Sequence, residues 1–165
     1  MPLNDLLAEK RTIILQRWFE RVLEGYPSDT QRLFRENGSP YSNPIGFTLR
    51  KGMEGVIEEI LKPTSMESAQ AILEPVMRIR AVENLPPSLR GNFILPLRDI
   101  VSEIVREERR REPLGQEWLD VSSRIHQLAL LGIRLYSECR EKVNQLRVRE
   151  GKRRGGEGLD RRGGV

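Results

Sequence analysis

At 165 residues and 19.1 kDa the chain has the size of one ordinary domain, long enough to bury a core without staples. A single cysteine, Cys139, and a single histidine, His126, exclude an intramolecular disulfide and a four-ligand Cys/His zinc site, so no cofactor is implied by counting. The formal charge of +4 lies in residues 147–165, where seven basic side chains meet three acidic ones, which leaves the body neutral.

The beginning of the chain has no basic segment ahead of an apolar run, and the longest uninterrupted apolar run, 128–133, is six residues long with Gly132 included. The expectation is a cytoplasmic protein with neither a leader nor a membrane span.

Apolar positions Leu3, Leu7, Ile14, Trp18 and Val22 fall on one helical stripe, which predicts a single helix over 3–23 that ends before Pro27. Ser28 or Asp29 offers a cap for a short second helix through Leu33 and Phe34, closed by an Asn37-Gly38 turn. Asn43-Pro44 is a strong start signal, because the asparagine oxygen caps and the proline lacks the N–H that a first helical residue leaves unbonded. The third helix carries Ile45, Leu49, Met53, Val56, Ile57, Ile60 and Leu61 and stops at Pro63. Gly46, Gly52 and Gly55 each cost it about 1 kcal/mol against alanine, which points to close approach by a neighbouring helix or a ligand.

Thr64 and Glu67 have the spacing of a capping box for a fourth segment that Pro75 should split or kink. After Leu85-Pro86-Pro87-Ser88, residues 89–111 read as helix again, interrupted near Pro96 and closing in the charge run 106–112, a solvated face with pairs such as Glu107 with Arg111. From Gly115 onward Trp118, Val121, Ile125, Leu128, Gly132, Leu135 and Cys139 alternate spacings of three and four, and Val143 and Leu146 extend the stripe. A seam of that length predicts a helix that reaches past its own domain to a second copy or a partner. From Gly151 the Arg- and Gly-rich composition predicts disorder, giving a helical domain over 1–148 and a basic tail over 149–165. No segment alternates with period two, so the fold class is all-α, one bundle of about six helices.

Three stretches carry a resemblance: 14–27 with Trp18 and Tyr26-Pro27; Asn43-Pro44-Ile45-Gly46-Phe47-Thr48-Leu49-Arg50-Lys51-Gly52; and Arg78-Ile79-Arg80-Ala81-Val82 followed by Pro87-Ser88. In that order the chain resembles, over roughly 3–140, the N-terminal domain of RsbRD-type RsbT co-antagonist proteins, the sensory part of bacterial stressosome-like regulators. The resemblance implies a helical input module, related to sensors with a globin-like fold that hold no haem. It implies as well an output part such as a STAS domain in kinase-controlled partner switching, for which the residues after the last helix are too few. A signal would therefore pass to a separate STAS-type or kinase-type partner. Pro96 departs from the unbroken helix expected in relatives, and the family carries no ligand residues over.

Several side chains have both a plain and a sharper reading. His126 is a surface histidine or an axial haem ligand. Cys139 is a small apolar seam residue or a redox switch between two chains. Trp18, Tyr26, Phe47 and Phe93 are core aromatics or the lining of a ligand cavity. Arg78 and Arg80 pair with Glu74 or Glu83, or bind an acidic ligand. No nucleophile elbow, phosphate loop or metalloprotease motif occurs, so enzymatic activity has no support. The leading expectation is a regulatory domain that acts by protein contact, as a homodimer, through its last helix. The alternative is a nucleic-acid-binding accessory protein that uses the basic tail, with binding that falls steeply with salt.

Overall fold

The computed structural model describes residues 1–36, 40–83 and 93–163, and within them all helix and strand assignments are helical. The first predicted helix is two. α1 (Leu3–Glu9) and α2 (Arg11–Leu23) meet at Lys10, whose ψ of 6° takes the backbone out of the helical region. The interruption falls where the apolar stripe lapses, with Lys10 and Arg11 between the buried Leu7 and Ile14. α1 then packs on α4 (Pro44–Leu61), while α2 reaches both α4 and α6 (Leu95–Glu108).

α3 (Ser28–Arg35) begins without the predicted Ser28 or Asp29 cap. Pro27 is its N-cap, the Pro27 carbonyl accepts from the Gln31 N–H at 2.9 Å, and the Gln31 side chain turns back to the Tyr26 carbonyl at 2.8 Å. The Asn37-Gly38 turn lies outside the described residues. At α4 the Asn43 oxygen accepts from the Gly46 N–H at 3.1 Å, as the Asn-Pro signal predicts.

α5 (Met66–Val82) is capped one residue later than the Thr64 and Glu67 spacing suggests. Ser65 accepts from the Ser68 N–H at 3.1 Å, because the Glu59 carboxylate takes the Thr64 N–H at 2.8 Å. Pro75 does not split α5, which continues as one element through Val82.

The glycines of α4 answer to helix crossing. A Cβ on Gly52 would stand 2.3 Å from Val76 Cγ2, and one on Gly55 would stand 2.7 Å from Ile72 Cγ2, both side chains of α5. At Gly46 the neighbour is the capping Asn43 side chain itself. Gly52→Ala is expected to destabilise the protein by about 1 to 3 kcal/mol through overpacking, against the gain in helix propensity. In a Val76→Ala background the same substitution should be neutral or stabilising, a coupling that urea denaturation of the four variants measures.

Pro96 sits in the first turn of α6 and starts the helix instead of interrupting it. Residues 89–92 of the predicted helix lie outside the described residues. The charge run is solvent-exposed apart from the half-buried Arg109, but it is not one helix face, because α6 ends at Glu108. Glu108 reaches Lys10 at 2.9 Å, Glu107 reaches Arg17 at 3.8 Å, and the expected pair of Glu107 with Arg111 is lost with the helix.

α7 (Gln116–Gly163) packs chiefly along α5, with smaller contacts to α6 and α4. Its seam is used inside the chain. Trp118, Val121, Ile125, Leu128, Gly132 and Leu135 are buried, and Cys139 is half-buried against the same core. Gly132 lets Met77 of α5 approach, since a Cβ there would meet Met77 Cε at 3.3 Å. Past the half-buried Val143 the helix stands clear, with Leu146 60% and Val148 56% exposed. The helical assignment runs on through Gly163.

Candidate functional site

Of Trp18, Phe47, Arg78 and Arg80, the residues a ligand pocket would have used, only Trp18 and Arg80 share a neighbour, the Phe93 ring. Trp18 is fully buried, and its Nε1 donates to the Phe93 carbonyl at 2.8 Å. Phe47 is 38% exposed at the start of α4, with the Lys51 ammonium 6.0 Å from its ring centre. Arg78 points to solvent and pairs with Glu74 at 2.7 Å, the plainer of its two readings. Arg80, two residues further on, is only 3% exposed and belongs to a different environment. Ile79, between them, is half-buried and lies outside the buried core.

What the fold builds instead is a buried polar cluster at the end of α5. The Arg80 guanidinium stacks 5.4 Å from the Phe93 ring centre and donates to the Tyr26 hydroxyl at 3.3 Å. Tyr26, just after α2, donates its hydroxyl proton to Glu83 Oε2 at 2.5 Å. Phe93 also stacks on Trp18 at 5.1 Å, and Phe34 meets the Tyr26 ring edge-on at the same distance. Burial pushes the Glu83 carboxyl above the usual carboxylate range, although the Tyr26 hydrogen bond and the Arg80 charge pull the other way. Burial and the neighbouring Glu83 also push the Tyr26 phenol up, so it stays protonated and donates. The cluster ties the corner between α2 and α3 to the last turn of α5. Of the two carboxylates considered for Arg80, Glu83 is the one within its field, because Glu74 is engaged by Arg78.

Three guanidinium groups close helix ends in a way no short motif announces. Arg50 of α4 donates to the Phe34 carbonyl at 2.6 Å, Arg124 of α7 to the Ile60 carbonyl at 2.9 Å, and Arg140 of α7 to the Ala81 carbonyl at 2.7 Å. Each carbonyl belongs to the next-to-last residue of its helix, where backbone acceptors lack intrahelical partners and the helix dipole favours a cation. α7 is thus fastened to the ends of α4 and α5 as well as packed along them. At the N-terminal end of the body, Glu117 of α7 accepts from the Leu3 N–H at 2.6 Å.

His126 is exposed on the face of α7 turned away from the core, where no buried apolar pocket surrounds it for haem. Cys139 lies half-buried against the core, and burial pushes its thiol up, which disfavours the thiolate a redox switch needs. Among the described residues, no group of three or more His, Cys, Asp or Glu side chains is placed to hold a metal. No described helix is long and apolar enough to cross a membrane. A 320 Å³ groove lined by Arg21, Arg98, Asp99, Ser102, Glu103 and Arg106 above Trp118 sets three cations against two carboxylates on an open surface.

A helical body whose longest helix runs out of it defines the chain as an all-helical module. Residues 13–150 match the RsbT co-antagonist protein rsbRD N-terminal domain family, and the chain belongs to that family. No curated protein and no solved structure matches the chain significantly.

Proposed function

We propose that the protein is a bacterial regulatory module of the stressosome type that acts without catalysis, by protein contact in the cytoplasm. Its state passes along α7 to a separate STAS-type or kinase-type regulator, and it works as a homodimer. A globin-like, haem-free arrangement of the bundle is part of this reading. Family membership supports the regulatory role, and the observation that carries the mechanism is the fastening of α7. A helix packed along α5 and bonded through Arg140 to its last turn reports any shift of α5 to its own exposed continuation past Val143. The Tyr26, Glu83 and Arg80 cluster sits at that same turn, so the core and the output helix share one joint.

The test is capture after cross-linking in the bacterial source, with the intact protein and with Arg140→Ala as baits. A STAS-domain or kinase-type regulator recovered on the intact protein and reduced severalfold on Arg140→Ala is the expected result. Nucleic acid recovered instead, released by moderate salt and lost when residues 151–165 are removed, would transfer the assignment to the accessory-protein reading. An intact protein that recovers neither class rejects both.

A further inference from the structure

A half-open groove of 160 Å³ lies where the end of α4 and the start of α5 meet α7. Its carbon surface comes from Pro63, Met66, Ala69 and Leu128, of which Ala69 is 3% and Leu128 6% exposed, so two core residues form its floor. Arg124, Gln127 and Leu128 of α7 enter the lining at i, i+3 and i+4, and one helix face thus supplies a cation, an amide and an apolar side chain. A largely apolar surface with a few polar groups at its edge is the make-up of a small-molecule site. The volume is close to the roughly 150 Å³ of a cavity that holds one benzene ring.

Arg124 decides the charge of the occupant. Capping the Ile60 carbonyl at 2.9 Å uses one N–H of a guanidinium that carries several, and among the described residues Arg124 makes no ion pair. Two carboxylates in its surroundings are turned to other donors. Asp120, one turn earlier on α7, accepts from the Gln116 amide at 2.9 Å. Glu59, in the lining of the groove, accepts from the Thr64 N–H at 2.8 Å and from the Thr64 hydroxyl at 3.0 Å. A guanidinium at the edge of an apolar pocket, with no carboxylate of its own, matches an anion that accepts two parallel hydrogen bonds. Glu59 sets the limit, because it penalises a second negative charge in the same groove and so favours a monoanion over phosphate. We infer that the groove binds a small organic monocarboxylate, with the carboxylate on Arg124 and Gln127 and the apolar part over Ala69 and Leu128. Such a ligand engages the same arginine that caps α4, so its arrival changes how α7 is fastened. That consequence gives the proposed regulatory module an input and rests on that reading, whereas the binding itself does not.

Benzoate is the probe, with benzyl alcohol as its uncharged counterpart. In an amide NMR titration of the full chain, benzoate should shift the signals of Met66, Ala69, Gln127 and Leu128 together, with one dissociation constant of about 1 mM or below. Arg124→Met, which keeps much of the stem, should weaken benzoate roughly tenfold or more, and benzyl alcohol should bind the intact protein more weakly by a similar factor. Because Arg124 also caps α4, the exposed Gln127→Glu is the second variant. It leaves the cap in place, sets a like charge beside the carboxylate and should weaken benzoate severalfold, with circular dichroism verifying the fold of both variants. Equal affinity for benzyl alcohol and benzoate overturns the charge assignment. Benzoate binding indifferent to both variants places the ligand elsewhere and overturns the site, as do shifts that never saturate or that are confined to the basic residues beyond Leu146. Capture of a regulator by an intact protein that does not bind benzoate rejects the groove and leaves the regulatory role standing.

Discussion

Arg80→Ala is expected to destabilise the protein by about 1 to 3 kcal/mol, the usual cost of leaving buried polar groups without a partner, with the packing of its stem lost as well. The guanidinium is almost wholly buried, and its attractions include the Glu83 carboxylate, the Tyr26 hydroxyl and the Phe93 ring. Taking it away leaves a carboxyl that burial already disfavours as an anion, with the Tyr26 hydroxyl as its hydrogen-bond donor among the described residues. The effect therefore depends on Glu83. In a Glu83→Gln background the same substitution should cost appreciably less, since no charge is then left stranded. Urea denaturation followed by far-ultraviolet circular dichroism gives both numbers. A loss below roughly 1 kcal/mol in the wild-type background would show that the cluster is solvated and not a joint of the core.

Trp18→Ala is expected to cost about 3 to 5 kcal/mol, from the largest side chain that is fully buried. Two effects add there. The cavity removes the stacking contact with Phe93, and the Phe93 carbonyl loses its indole donor. Trp18→Phe separates them, because it retains most of the volume and leaves the buried carbonyl without that bond, at about 1 to 3 kcal/mol. Since Phe93 also carries the Arg80 guanidinium on its ring, Trp18→Ala and Arg80→Ala are expected to couple instead of adding. Denaturation midpoints of the two single variants and the double variant measure that coupling, and strict additivity would show that Phe93 does not connect the two sites.

Most of the helices are legible because their signals are local. The Asn43 cap and Pro44 start at α4, the stop at Pro63 and the long regular stripe of α7 each depend on residues a few positions apart. Even there, local signals compete. Thr64 has the spacing of a cap, yet Glu59 engages it first and Ser65 does the capping. Likewise Pro96 reads equally as a breaker or a first-turn residue, and only the placement of Phe93 and Ile94 in the core decides for the start. The glycines of α4 announce close approach, but the side chains that approach, Val76 and Ile72, come from α5.

The candidate site was least legible, because its members are distant in sequence. Tyr26 and Glu83 are 57 residues apart, Arg80 and Tyr26 are 54 apart, and Arg140 lies 59 from the carbonyl it caps. Phe47 looked equivalent to Trp18 as an aromatic at helical spacing, yet the rotation of α4 sends one outward while α2 buries the other. Arg78 and Arg80 differ in the same way: two residues apart is about 200° around a helix, so one guanidinium pairs in solvent and the other enters the core.

By itself the amino-acid sequence determined that this protein is all-helical, that its charge collects at one end and that it resembles the family to which it belongs, because periodicity, capping and composition act over short distances. Whether the seam of α7 is used inside the molecule or outside it was decided only by tertiary packing. Period alone marks the seam without naming what covers it; α5, arriving from more than thirty residues away, buries it.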